Sequence, residues 1–309
     1  MGSCCEAVPG AAGFEMRSCR EAVQSAAEYL RRAGVPEPED NAWQLFSFVT
    51  GMSRTRYYVS LQEKVPAETE AAYREVLARR AGREPLQYIT GSQEFMGFSF
   101  EVTPDVLIPR QDTETLVEEA FSWALKEKEQ EERPLRLLDL CTGSGCVGLS
   151  LFLLLRQKGA DCSLTATDIS KEALSVAQRN ADRLVLEADR NRITCLQGDL
   201  LQPVEGAFDV IVSNPPYIPS SVIEGLMDEV KDHEPRLALD GSGDGLCFYR
   251  RMAEECREHM KKGGRFFAEI GYDQGETAAA VFRESGWQNI TVTRDLSGNP
   301  RVLATSLPG

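Results

Sequence analysis

Three observations predict an α/β protein whose larger part is a doubly wound, mostly parallel sheet, preceded by a small helical bundle. From Pro134 onward, apolar strand-like runs alternate with helix-period stretches, the pattern of βα units. A Gly-rich turn, Thr142-Gly143-Ser144-Gly145, follows the first of those runs and opens a helix. Residues 15–83 carry helical hydrophobic spacing punctuated by Gly and Pro instead.

The first helix is predicted from Glu15 to Ala33. It sets Ala22, Ala26, Tyr29, Leu30 and Ala33 on one face and stops at Gly34 and Pro36. A second follows Pro38, with Ala42, Leu45, Phe46 and Val49 at core spacing and Gly51 at its end. A third runs from Pro66 to Ala81, presenting Ala67, Ala71, Val76 and Leu77 before Gly82. Residues 1–85 are expected to form a small helical bundle without reactive groups of its own. Residues 86–105 change character: Leu86 to Gly91 and Glu94 to Val102 are rich in aromatic and β-branched residues, broken by Gly91 and Gly97. They predict a β-hairpin linker. Residues 106–309 hold the sheet. Its strands are expected at 135–140, 163–168, 193–197, 208–213, 264–270, 288–294 and 301–306, with helices such as 146–157 and 170–182 between most of them. Only six residues, Asp295 to Pro300, separate the last two strands. That is too short for a helical crossover, so they pair as a hairpin in a seven-stranded sheet with one antiparallel strand.

Composition narrows the function. With 42% hydrophobic and 27% charged residues in 309, the chain can bury a core and is not disordered. Its formal net charge is −14. Residues 1–85 carry 11 basic and 12 acidic side chains, the remainder 23 and 36, so the excess lies in the sheet domain. Grip on a nucleic-acid backbone or an anionic membrane needs the opposite sign, and neither is expected as a partner. The run from Lys126 to Arg133 reads as a solvated helix end. Nine cysteines lack any C-x-x-C pair, and Cys141, Cys146, Cys162 and Cys195 sit in apolar runs. This predicts reduced thiols and a cytoplasmic protein. With only His233 and His259 and no ligand spacing, no metal site is expected. The longest apolar run, Leu149 to Leu155, is too short to cross a bilayer, and the N-terminus has no signal-peptide pattern. Met1-Gly2-Ser3-Cys4-Cys5 loosely resembles an acylation signal, but Glu6 stands where Ser or Thr is required, so a frayed end is expected there.

The glycine turn marks a nucleoside site. Gly143 and Gly145 permit a tight turn and close approach of a ligand to the backbone. Asp168 ends the next strand, where a carboxylate can take two ribose hydroxyls. Gly143-x-Gly145-x-x-Gly148 with Asp168 twenty residues later also satisfies the dinucleotide fingerprint, so the pattern alone does not separate NAD from another adenosine cofactor. Asp199, in Gln197-Gly198-Asp199-Leu200, can accept from an adenine amino group while Leu200 packs on the ring, although Gly-Asp-Leu is also an ordinary strand exit.

Asp209-Val210-Ile211-Val212-Ser213-Asn214-Pro215-Pro216-Tyr217 points to the chemistry. The strand runs into Asn-Pro-Pro-Tyr at the sheet's carboxyl edge, where open α/β sheets bind ligands. Pro215 and Pro216 fix φ and remove two N–H donors, Asn214 adds a side-chain oxygen, and Tyr217 offers a flat face. The loop is an acceptor-rich slot for a planar group bearing NH₂. An amide or aromatic amine nitrogen is a poor nucleophile because its lone pair is delocalised. Two acceptors holding its hydrogens orient it toward a methyl on a positive sulfur, so positioning supplies most of the catalysis. No histidine or lysine base is required, since the proton can leave after transfer.

These residues resemble the class I S-adenosylmethionine-dependent methyltransferases that act on amide or exocyclic nitrogens. The segment Val106 to Glu114, the stretches Tyr88-Ile89-Thr90-Gly91 and Glu94-Phe95, and His233-Glu234-Pro235-Arg236-Leu237-Ala238-Leu239-Asp240-Gly241 narrow the likeness. With the N-terminal helices, they resemble the PrmC/HemK glutamine N5-methyltransferases of peptide chain release factors over nearly the whole chain. The resemblance implies a Rossmann-like seven-stranded sheet and S-adenosyl-L-methionine as cofactor. It implies cofactor contacts at Thr113, Asp139, Cys141, Thr142, Gly143, Ser144, Gly145, Asp168, Asp199, Leu200 and Asn214. The glutamine would lie against Asn214, Pro215, Pro216 and Tyr217, with Asn214, Pro215 and Tyr217 as the catalytic set. The implied partner is a release factor carrying a Gly-Gly-Gln loop, bound by a monomeric enzyme. Cys141 stands where many relatives have Gly, and Gln111 where Pro is usual. Arg54, Arg56, Arg79, Arg80 and Arg83 are candidate docking cations or, equally, solvated helix charges. Glu269 is a weaker candidate site acid.

Two other enzymes fit parts of this reading. An adenine-N6 nucleic-acid methyltransferase would present the same NH₂ to the same loop, but the charge balance opposes it. An NAD-dependent dehydrogenase would use the glycine fingerprint alone. A non-catalytic scaffold is disfavoured by the complete Asn214 to Tyr217 loop.

Overall fold

A computed structural model describes residues 16–130 and 133–308. Those residues divide into two compact units, one made of the chain up to Gly91 together with 228–233, the other of Ser92–Met227 and Glu234 onward. The Met1 to Cys5 segment, the expected helix start at Glu15 and part of the Lys126 to Arg133 run lie outside the described residues.

In the first unit, α1 (Cys19–Arg32) is capped by the Ser18 hydroxyl, which accepts from the Glu21 N–H. α2 (Pro38–Thr50) begins with Pro at its first position and ends on Gly51 in the left-handed region. A short α3 (Arg54–Val59), too polar and brief to show periodicity, precedes α4 (Ala67–Ala81). Leu30, Leu45, Phe46, Tyr73 and Leu77 are fully buried in their common core. The aromatic content of Leu86–Thr90 predicts a strand, yet it is a helical turn, α5, launched by Pro85 and closed by Gly91 at φ 75°. Burial of Leu86 and Ile89 on one helical face overrides β propensity there. The hairpin is confined to β1 (Ser92–Phe95) and β2 (Phe98–Glu101), paired antiparallel within the second unit.

After α6 (Glu114–Gln130), the second unit alternates as expected: β3 (Leu135–Leu140), α7 (Cys146–Gln157), β4 (Cys162–Asp168), α8 (Lys171–Leu184), β5 (Ile193–Gln197) and β6 (Phe208–Ser213). The helical turn α9 (Asp228–Lys231) lies in the segment belonging to the first unit. Then come α10 (Cys247–Glu255), β7 (Met260–Glu269), α11 (Gly275–Glu284), β8 (Gln288–Arg294) and β9 (Pro300–Ser306). The sheet order is β5-β4-β3-β6-β7-β9-β8. Only β9 runs against the rest, pairing antiparallel with both β7 and β8. Alternate residues feed two cores. Leu137, Val210 and Val212 pack with α6 and α7 on one face, while Leu138, Leu140, Ile211 and Phe266 pack with α10 and α11 on the other. The strand order reverses between β3 and β6, whose carboxyl ends therefore open a crevice.

Candidate active site

The crevice is a cavity of about 270 Å³. Thr113, Asp139, Cys141, Thr142, Gly143, Ser144, Asp168, Asp199, Leu200 and Asn214 all line it, so ten of the eleven expected cofactor contacts are brought together. The eleventh, Gly145, builds the turn. Its φ is 82°, and a Cβ there would sit 2.8 Å from Leu149 Cδ1. Gly148 has a similar reason to lack a side chain, because a Cβ would meet Asp139 Oδ2 at 2.7 Å. Cys141 adopts φ 57°, a left-handed conformation that disfavours non-glycine residues, so this departure from glycine is accommodated with strain. Gln111, by contrast, enters a single 3₁₀ turn, Gln111–Thr113, that leaves Thr113 buried.

Backbone N–H groups hold Asp139 and Asp168, whereas a side chain holds Asp199. Asp139, at 1% exposure, accepts through Oδ2 from the Thr142 hydroxyl at 2.6 Å and the Gly148 N–H at 3.0 Å, while Oδ1 has no partner among the described residues. Burial pushes its carboxyl up to about 7, against those two hydrogen bonds. Asp168 accepts from the Gly143 N–H and the Ser170 N–H, both at 2.9 Å, and burial raises it as well. Asp199 is paired to Arg251 Nη1 at 2.8 Å, and Leu200 behind it is buried at φ 51°. Asn180 of α8 accepts from the Glu101 N–H, and its amide donates to the carbonyls of Glu101 and Ser144, fastening the glycine turn to β2.

The Asn-Pro-Pro-Tyr loop leaves β6 beside this turn. Asn214 and Pro216 line the cavity, and Pro215 is buried beneath. Asn214 donates from Nδ2 to the Thr113 hydroxyl at 3.4 Å, which leaves Oδ1 as an acceptor. Tyr217 is outside the lining, and its hydroxyl donates to Glu269 Oε1 at 3.0 Å. Gln274 fixes the Tyr217 carbonyl through Nε2 at 2.9 Å, and Ile218 exchanges hydrogen bonds with Leu239 and Gly241.

Sequence reasoning did not find several lining groups. Ile169 follows Asp168 and is half exposed, an apolar side chain left at a strand exit. Phe248 and Arg251 share a face of α10, with no local signal to set them apart. Pro235, Leu237 and Ala238 face the cavity together with Val106, Leu107 and Pro109. Those two segments are joined by Glu234, which pairs with Arg110 and accepts from the Ile108 N–H. The five arginines considered for docking all have partners inside the first unit. Arg54 pairs with Asp40, Arg56 with Glu63 and Arg79 with Glu84, while Arg83 reaches the Gly34 carbonyl and the buried Arg80 holds Glu229. The seven described cysteines are free, no cluster able to hold a metal occurs among the described residues, and no described helix is long and apolar enough to cross a membrane.

A seven-stranded sheet with its last strand antiparallel, a glycine turn and acidic strand ends around one cavity define a class I methyltransferase. An all-parallel dinucleotide-binding sheet has no such inserted strand. Residues 21–91 match the PrmC N-terminal domain and residues 121–230 the methyltransferase small domain. The release factor glutamine methyltransferase of Geobacter sulfurreducens is 39% identical over 290 residues, spanning 94% of this chain and 96% of that one. Its counterpart in Moorella thermoacetica is 40% identical over 92% of this chain and 96% of its own. The chain belongs to the release factor glutamine methyltransferase family. Among solved structures, the human METTL16 N-terminal domain superposes with TM-score 0.51 at 16% identity, over 89% of this chain and 96% of that one, a likeness of fold alone.

Proposed function

We propose that this chain transfers a methyl group from S-adenosyl-L-methionine to the side-chain amide nitrogen of the glutamine in the Gly-Gly-Gln loop of peptide chain release factors. The observation that carries the reading is the position of Asn214. It lines the same cavity as Asp139 and Asp168 while its own NH₂ is engaged by Thr113. The unpartnered, buried Asp139 Oδ1 suits the ammonium of an amino-acid-bearing cofactor, and the Asp168 carboxylate at the end of β4 suits a ribose.

When bound, the cofactor supplies a methyl group on a positively charged sulfur. The protein's part is orientation. Asn214 Oδ1 and the carbonyls of the proline-stiffened loop accept the two amide hydrogens, which hold the nitrogen toward the donor and favour its pyramidal form. Pro215 and Pro216 keep those acceptors in place without competing N–H groups. Gln274 and Glu269 anchor the far end of the loop through Tyr217. The amide proton is lost after transfer, so the site needs no base.

A Gly-rich substrate loop is narrow enough to reach a slot of this kind, and the partner is accordingly a release factor, met in the cytoplasm by a monomeric enzyme. An adenine NH₂ would meet the same loop, but the acidic excess of the sheet domain and the similarity to release factor glutamine methyltransferases over nearly the whole chain favour the glutamine. The test is methylation of a purified release factor, with mass mapping of the product. Label on the Gly-Gly-Gln glutamine supports the assignment, and label on nucleic acid alone overturns it. Asp168→Ala should weaken cofactor binding at least about tenfold by calorimetry, as removal of a bidentate carboxylate does.

A further inference from the structure

Three apolar side chains gather on the flank of the cavity beside the exits of β4 and β5: Ile169, the buried Leu200 and the half-buried Phe248 of α10. The two exits are tied together, because the Gly198 N–H donates to the Asp168 carbonyl at 3.0 Å, and Leu200 and Phe248 belong to one core cluster. Asp199 precedes Leu200, Arg251 lies three residues beyond Phe248, and both line the cavity. Arg251 Nη1 donates to Asp199 Oδ1 at 2.8 Å. Its Nε donates to Glu255 Oε1, one turn further along α10, at 2.9 Å, which limits the turning of the guanidinium. These bonds leave Arg251 Nη2 and Asp199 Oδ2 without a hydrogen-bond partner among the described residues.

Apolar and aromatic walls suit a flat ring, and the ion pair gives the slot a polar edge with a fixed sense. An ionised carboxylate only accepts, and a guanidinium only donates. Held side by side, they present an acceptor next to a donor. Adenine carries the matching edge, an NH₂ beside a ring nitrogen with a free lone pair. Hypoxanthine carries the reverse, an oxygen beside an N–H. We infer that Arg251 is a specificity-determining residue: together with Asp199 it reads the hydrogen-bonding edge of the cofactor's base and favours adenine over hypoxanthine. This rests on the S-adenosylmethionine reading above and extends it to α10, where no local motif marks Arg251.

The test is calorimetric binding of S-adenosylhomocysteine and S-inosylhomocysteine, which differ only at that edge, to the full chain. The native protein should prefer the adenosyl ligand at least about 100-fold, because the reversed edge leaves polar groups on both sides unpaired. Arg251→Met keeps an apolar stem and removes the donors. Asp199 is 42% exposed on its side chain, so the substitution leaves its carboxylate in solvent and not stranded in the interior. The variant should bind the adenosyl ligand at least about tenfold more weakly and the inosyl ligand within about threefold of the native value, so the preference falls at least about tenfold. A contribution through packing or through the overall charge of the cavity weakens both ligands alike and leaves their ratio unchanged. An unchanged ratio in Arg251→Met would therefore overturn the role, as would a native protein that binds the two ligands equally. A native chain that binds neither ligand refutes the cofactor reading itself, and the assignment of Arg251 falls with it.

Discussion

Gly245 lies against the backbone of Tyr217 so closely that a Cβ built on it would be 2.3 Å from the Tyr217 carbonyl oxygen and 2.6 Å from Gln274 Nε2. Its φ of 75° independently disfavours any side chain. Gly241 makes a similar approach, with a Cβ 2.7 Å from Tyr217 Cα. Two glycines thus set the height of the Asn-Pro-Pro-Tyr loop from behind. Gly245→Ala should displace Tyr217 and lower kcat at least about tenfold, as small misplacements of a positioning loop do, while cofactor Kd stays within about threefold. Steady-state kinetics and calorimetry together check this.

Asn214→Ala removes an acceptor without removing the cofactor's carboxylates. Turnover should fall about 100- to 1,000-fold, the loss typical of one transition-state hydrogen bond. Cofactor Kd should change far less. Native-like turnover in that variant would reject the role given to Asn214.

Asp139 links stability to pH in a direction opposite to most carboxylates. Its folded pKa of about 7 lies above the ordinary 3.8, so between those values the folded state holds a proton that the unfolded state releases. Its contribution therefore favours folding at low pH, declines as pH rises through that window and is flat above about 7. Asp139→Asn keeps an acceptor for Thr142 and Gly148 but removes the buried charge. The variant should gain in Tm over the native chain at pH 8.5 and gain little at pH 4, both measured without cofactor. It should also bind S-adenosylmethionine at least about tenfold more weakly at pH 8, a stability-for-function exchange.

Asp209, at the start of β6, is 1% exposed, paired to Arg133 and to Lys261 Nζ at 2.8 Å, and accepts from the Arg136 N–H at 2.7 Å. Asp209→Ala strands those donors, and urea unfolding should show a loss of about 3–5 kcal/mol. Cofactor affinity of the folded fraction should be unchanged, because Asp209 lies at the end of β6 away from the cavity.

The sheet was legible because its strands are apolar runs bounded by turn residues. β3, β5, β6 and β8 begin and end where the hydrophobic pattern changes, and the short Asp295 to Pro300 connection already required an antiparallel last strand. The glycine turn and the acidic strand ends were legible because each is a local motif. What stayed hidden depends on groups distant in sequence. Nothing near Asp199 announces Arg251, 52 residues later, and nothing near Tyr217 announces Glu269 or Gln274 as its partners. Leu86–Thr90 shows the complementary failure, since its local propensity is real but burial of one helical face outweighs it.

The salt link of Arg80 bears on how the polypeptide is made. This buried guanidinium in α4 is satisfied by Asn41, by the Glu84 carbonyl and by Glu229, which is translated 149 residues afterwards. A fragment ending at Gly91 would leave a guanidinium in an apolar interior without its counter-ion, a deficit of about 3–5 kcal/mol. Nascent bundles emerging from the ribosome must wait for that late segment before they are complete, and dissection of the gene at the apparent border should yield a poorly soluble N-terminal piece.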